Sequence, residues 1–214
     1  MPACGEGADE RQKPAGAADR NRRKKNLKET IRYAAISEQE ISRELFAHFI
    51  RRQVVGKCRR RINGSWVMKD DPFIDDWSEE DYQMLVTCLR NTAATGGLVY
   101  GAFCGGVLKG FVSVEPELFG GEHRYLDLSS IHVSEDMRGR GVGRTLFETA
   151  KEWARQRGAG KLYISAHSAA ETQAFYHAMG CVEAEQYNQK HVEAEPYDCQ
   201  MEYVLELPRN QQNG

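Results

Sequence analysis

The segment Arg138-Gly139-Arg140-Gly141-Val142-Gly143 constrains the fold more than any other stretch of the chain. It follows an alternating strand pattern over residues 125–133. It opens a helical pattern over 144–157, in which Leu146, Phe147, Ala150 and Trp153 form the apolar face and Gly158 ends the run. Glycines at 139, 141 and 143 let the backbone approach a ligand with no Cβ in the way. Amides that converge at a helix N-terminus favour an anion there, and Arg138, Arg140 and Arg144 add positive charge. The group expected against this loop is a pyrophosphate. Two other nucleotide-binding patterns compete. A P-loop needs Lys-Ser/Thr after its last glycine, and Arg144-Thr145 supplies no lysine. A dinucleotide fingerprint needs G-x-G-x-x-G opening a parallel unit. Here the glycine spacing differs and the loop follows an antiparallel meander. The spacing R-x-x-G-x-G arises by chance in roughly one chain in five of this length, so its surroundings must carry the reading further.

Those surroundings are a meander. Strands over 98–104 and 107–115 flank Gly105-Gly106, the dipeptide expected in a tight hairpin, and 125–133 is the third strand. Upstream, 30–34 reads as a short strand. Ser37 and Glu40 have capping-box spacing, which predicts a helix from about Glu38 with Ile41, Leu45, Phe49 and Ile50 as its apolar stripe. Asn63-Gly64 predicts a hairpin turn within 59–67. Ser78 with Asp81 starts another helix, carried by Tyr82, Leu85, Val86 and Leu89 to about Ala94 and stopped by Gly96-Gly97. Downstream, 162–165 is a strand, 170–179 a helix closed by Gly180, and 181–185 and 200–205 the last strands. A polar connection, 186–199, joins them. The fold class is α/β, a mixed and mostly antiparallel sheet of six to seven strands with about four helices, in one domain over 30–207.

Charge and cysteine usage narrow the function. The net charge is -2 and the isoelectric point near 6.3, which argues against a dedicated nucleic-acid binder. Residues 1–29 are basic and nearly free of large apolar side chains, so they read as a disordered leader. Residues 208–214 read as a polar tail. The leader has no apolar run to act as a secretory signal, and no stretch of 18 apolar residues predicts a membrane span. No C-x-x-C pair or Cys-His cluster has metal spacing among the six cysteines. Reduced thiols, no metal and a cytoplasmic location are the expectation.

Two longer motifs connect the loop to a family. Ile131-His132-Val133-Ser134-Glu135-Asp136-Met137-Arg138-Gly139-Arg140-Gly141-Val142-Gly143 and Ala174-Phe175-Tyr176-His177-Ala178-Met179-Gly180-Cys181 resemble the two cofactor motifs of the GNAT N-acyltransferase superfamily. The resemblance covers about 30–205 and is sharp over 125–181. It implies a sheet splayed at the cofactor and acetyl-CoA as acyl donor. The backbone of Ile131 and Val133, with His132 between them, would hold the pantetheine arm. Arg138, Gly139, Arg140, Gly141, Val142, Gly143 and Arg144 would hold the pyrophosphate. Tyr176 would sit by the sulfur and protonate the leaving thiolate, a role its phenol suits because it titrates near a thiol. Homodimers are common in the family. Several positions depart from its pattern: Ala169 stands for Asn, Thr172 for Ala, Cys181 for Phe, and Ile164-Ser165 lack the Glu of many peptide N-terminal acetyltransferases.

An amine must lose a proton before it attacks a thioester. Asp127, on the strand, is the first candidate base. Glu115, at the end of the preceding strand, is the second and His132 the third, while His167 has a place beside the cleft. Asp70, Asp71, Asp75 and Asp76, and Glu183, Glu185, Glu193 and Glu195 near the last loop, would draw a cationic amine. The acceptor is a small-molecule or peptide amine of unread identity. A non-catalytic acyl-CoA-binding regulatory module and a protein or peptide acetyltransferase are the competing readings.

Overall fold

The computed structural model describes residues 30–205. The leader expected over 1–29 and the tail over 208–214 lie outside them. In chain order the elements are β1 (Ile31–Ala35), two single 3₁₀ turns (Glu38–Glu40 and Glu44–Phe46), β2 (Arg52–Ile62), β3 (Ser65–Asp76) and α1 (Glu79–Ala94). Then come β4 (Leu98–Cys104), β5 (Val107–Val114), β6 (Tyr125–Asp127), β7 (Ser130–Val133) and α2 (Val142–Gln156). The chain ends with β8 (Lys161–Ala166), α3 (Ala170–Ala178), β9 (Val182–Glu183), α4 (Gln189–Ala194) and β10 (Cys199–Val204).

The strands form two four-stranded sheets, in the orders β1-β4-β5-β7 and β6-β8-β10-β9, and β2 and β3 form a separate two-stranded ribbon. Every pair is antiparallel except β6 with β8. The expected third strand breaks at Leu128-Ser129. Its first half pairs with β8 as far as Asp127 opposite Tyr163, and its second half pairs with β5 from Ser130 opposite Ser113. Leu128 N donates to Tyr163 O at 2.9 Å, while Glu115 N donates to Asp127 O at 2.8 Å. Past this crossing β7 has β5 on one side only, and β8 runs on without it. An edge strand leaves alternate backbone N–H and C=O groups unpaired, and here that edge faces the parting of the two sheets.

Two apolar layers enclose the first sheet. Phe111 packs with Ile36, Ile41, Phe46, Phe49, Tyr82, Leu85 and Leu89. Its neighbour Val112 packs with Leu146, Phe147, Ala150 and Leu162 beneath α2. The period of two in a strand sends adjacent side chains to opposite faces, and both faces are buried. The mixed, mostly antiparallel α/β character follows the expectation. So do α1, whose Ser78–Asp81 capping box is made in both directions, and the hairpin turn, with Asn63 and Gly64 both at positive φ. Cys58, Cys88, Cys181 and Cys199 are free thiols. Cys4 lies outside the described residues.

Three further local expectations differ from the structure. The helix expected from Glu38 stops after one turn. The Ser37–Glu40 capping box forms, but Ile41 turns extended. The buried side chains here are Ile41, Phe46 and Phe49, carried by two short 3₁₀ turns and not by a continuous helix, so tertiary packing overrides the local signal. The strand expected over 181–185 shortens to β9. The connection over 186–199 carries α4, capped by Asn188, whose Oδ1 accepts from Lys190 N at 3.1 Å.

Candidate functional site

A cleft of about 930 Å³ opens where the two sheets part, a volume within the range of small-molecule and cofactor sites. Ile131, His132 and Val133 line it from the open edge of β7, and Ser165 and His167 from beyond the part of β8 that pairs with β6. The glycine loop closes one end. Gly139 and Gly141 sit at φ +74° and +82°, and a Cβ built on either would meet no atom within 4 Å. The glycines thus serve the left-handed turn and the approach of a ligand, because no protein neighbour crowds them. Gly143 differs: a Cβ there would meet the Phe175 ring at 3.2 Å. Gly141 is the residue before α2, so the first free amides of that helix face the loop. Arg138 donates from Nε to Val133 O at 3.2 Å, tying the loop to the open strand. Arg138, Gly139, Gly141, Val142, Gly143 and Arg144 line the cleft; Arg140 is exposed and does not.

Tyr176 reaches the cleft from α3 and is 5% exposed. Burial, aided by Cys181, Asp198 and Asp127, raises its pKa well above the usual phenol value, so the proton stays on the oxygen at neutral pH. Phe147 and Phe175 pack around the ring.

The other end is acidic. Asp127 has one oxygen, Oδ2, 2.7 Å from His191 Nε2 on α4, and its Oδ1 is buried without a hydrogen bond. The Asp127 contact raises the pKa of His191 despite burial. Asp198 is pushed up to about 6, first by burial and then by Glu195. Asp75 completes the set, paired to Arg51, whose guanidinium also lies 5.2 Å over Trp77. Of the acids expected to face an amine, Asp75 and Glu195 line the cleft. The remaining acids of that group lie outside the cleft lining: Asp71 pairs with Arg60, Glu183 with Arg61, and Glu185 with Lys161.

The candidate bases separate. Asp127 lines the cleft. Glu115 does not: its Oε1 accepts from Thr92 Oγ1 at 2.6 Å and Ser129 Oγ at 3.1 Å, on the far side of the strand crossing. His132 lines the cleft, but Trp77 and Phe111 pack on it at 4.8 and 5.4 Å. Burial and then Arg51 and Arg138 push its pKa down to about 3. It is neutral and resists taking a proton. Burial also lowers the pKa of His167. His191, Asp198 and Arg51 were absent from the sequence reading. Asn188 before Gln189-Lys190-His191-Val192-Glu193-Ala194 is an N-cap before good helix formers, and that signal would have found α4.

An open strand edge, a glycine loop at a helix N-terminus and a buried phenol border one cleft. The chain belongs to the GNAT acetyltransferase family, whose sequence model matches residues 64–181, more than half of the chain. It is an acyltransferase. Among curated proteins no match was found. Among solved structures, nourseothricin acetyltransferase is 20% identical, with TM-score 0.60 over 82% of this chain and 99% of that one. A Bacillus anthracis protein assigned as a streptothricin acetyltransferase, in complex with acetyl coenzyme A, is 14% identical, with TM-score 0.61 over 84% and 99%. The ribosomal-protein-S18-alanine N-acetyltransferase of Escherichia coli is 16% identical, with TM-score 0.52 over 86% and 100%. These likenesses show the fold. Among the described residues no helix is long and apolar enough to cross a membrane.

Proposed function

We propose that the protein transfers an acetyl group from acetyl-CoA to a primary amine by direct attack on the thioester. The carrying observation is the open edge of β7 between the glycine loop and Tyr176, at the parting of the two sheets. A pantetheine arm carries two amides and can pair with that edge as an added strand would. The amides of Gly139 to Arg144 then receive the pyrophosphate. The Bacillus anthracis neighbour binds acetyl coenzyme A, which supports the same donor here.

The chemistry follows from what lines the cleft. The amine nitrogen bonds to the thioester carbon, and strand amides can steady the oxyanion that forms. The C–S bond then breaks, and Tyr176 gives its proton to the sulfur. Burial makes Tyr176 a weaker acid than a free phenol, so it gives its proton to the sulfur as its oxygen takes another from the adduct. Asp127, Glu195 and Asp198 at the opposite end draw a cationic acceptor. Residues of the ribbon, Arg51 beside it and Trp77 wall this end. A walled pocket favours a small amine over a folded protein substrate.

The test is a panel of amines, polyamines, amino acids and peptides assayed by free-thiol release. Acetyl-CoA-dependent turnover on small cationic amines is the expected result. Tight coenzyme A binding with no turnover on any member would favour the non-catalytic module instead, and turnover confined to peptides would favour a peptide modifier.

A further inference from the structure

Resting on the acetyl-transfer reading above, we infer that His191 is the catalytic base of this protein and that Asp127, the carboxylate beside it, is its positioning residue. The geometry carries this. Asp127 Oδ2 lies 2.7 Å from His191 Nε2. A carboxylate only accepts, so Nε2 carries the hydrogen, and the neutral ring presents Nδ1 as a bare acceptor. The ring lines the cleft and stacks on Tyr163 at 5.6 Å, with 27° between planes. Two hydrogen bonds hold the helix that carries it: Asn188 N donates to Tyr163 Oη at 2.8 Å, and Asn188 Oδ1 caps Lys190 N.

The charged and titratable groups facing this imidazole come from four places. Asp127 stands on β6 and Tyr163 on β8, Asp198 leads into β10, and Glu195 closes α4. Asp127 and Asp198 favour an imidazolium, so the ring can hold a proton once it has taken one. No other histidine on the cleft wall has this company. His132 lies between aromatic rings and near two arginines, and His167 faces Arg51 and Arg60 as well as Asp75 and Glu195 and, among the described residues, makes no carboxylate hydrogen bond of the His191 kind.

The proton balance closes. An acceptor entering as R–NH₃⁺ gives one proton to Nδ1 and attacks as R–NH₂. The tetrahedral adduct loses a second N–H proton as the C–S bond breaks, and the thiolate takes one from Tyr176, which that second proton restores. The amide keeps the third hydrogen, and His191 releases its proton to solvent. Products are the acetamide, the thiol and one H⁺.

The experiment is the pH profile of kcat/KM for the best amine of the panel, on wild type, His191→Gln, Asp127→Asn and Asp198→Asn, with coenzyme A affinity measured alongside. Wild type is expected to lose activity as pH falls through the titration of His191. His191→Gln is expected to drop kcat roughly a hundredfold, to lose that acid limb and to bind coenzyme A normally. Imidazole is expected to restore part of the rate in His191→Gly. Asp127→Asn is expected to move the limb to lower pH, because the contact that raises the histidine is gone. An unchanged limb in His191→Gln, or a limb that follows Asp198→Asn alone, overturns the inference while leaving acetyl transfer intact. A wild type with no turnover on any amine overturns the transfer reading instead.

Discussion

At the scale of single residues, Gly141 and Tyr176 make separable claims. Gly141 sits at φ +82° with open space where a Cβ would go. Gly141→Asp therefore strains a left-handed position by about 1–2 kcal/mol and sets a carboxylate against the incoming phosphates. Calorimetry is expected to find coenzyme A binding lost, with a fold that still melts cooperatively. Tyr176→Phe keeps the buried ring and removes only the proton. Coenzyme A affinity is expected to hold while kcat falls by a factor on the order of a hundred. His132 gives a stability prediction. Its folded pKa, about 3, lies below the ordinary histidine value, so at intermediate pH the unfolded chain binds the extra proton and stability rises with pH there. The loss on acidification starts near pH 6.5 and continues toward pH 3, reaching about 2 kcal/mol by pH 5. Thermal melts of wild type against His132→Gln, at pH 7 and pH 5, are expected to show a smaller acid shift in the variant.

At the scale of elements, α4 is the piece on which acceptor chemistry turns. It is six residues long, too short to hold itself together, and it depends on its cap and on Tyr163. Asn188→Ala is expected to cost about 1 kcal/mol or less in global stability but to reduce kcat/KM tenfold or more, because the helix that aims His191 loosens while the core does not. Comparing denaturant midpoints with kinetics checks this. The elements also explain which parts were legible in the sequence. Strands β4 and β5, helix α1 and helix α2 have strong periodicity, caps and glycine stops, and each is where its pattern puts it. The helix expected from Glu38 shows the reverse. Its cap forms as written, but Ile41 turns extended and the helix ends after one turn. Helix α4 was passed over because a polar six-residue helix has no apolar stripe to announce it.

At the scale of the whole molecule, the site exists because one stretch of chain serves two sheets. Leu128 N reaches Tyr163 O while Asp127 O receives Glu115 N, and beyond that crossing the sheets part. The strand amides facing the opening are then available to a ligand and not to another strand. Hydrogen exchange with and without coenzyme A is expected to protect amides in β7 and in residues 139–144, with little change in the paired interior of β4 and β5. Protection confined to the loop would mean that the arm does not pair with the strand.

The sequence by itself carries the donor half of the proposed reaction. A glycine loop at a strand-to-helix junction is a local device, made of contiguous residues whose backbone freedom and charge are written in their order. Tyr176 belongs to that half, because it sits within a contiguous helical motif. The acceptor half was decided by tertiary structure alone. Asp127 and His191 are 64 positions apart and meet at 2.7 Å only because β6 pairs with β8 and Tyr163 on β8 pins the α4 segment. Glu115, also a carboxylate, turns to Thr92 and Ser129 on the other side of the crossing. Which carboxylate faces the cleft is a question of strand pairing and side-chain direction, and no run of neighbouring residues encodes it.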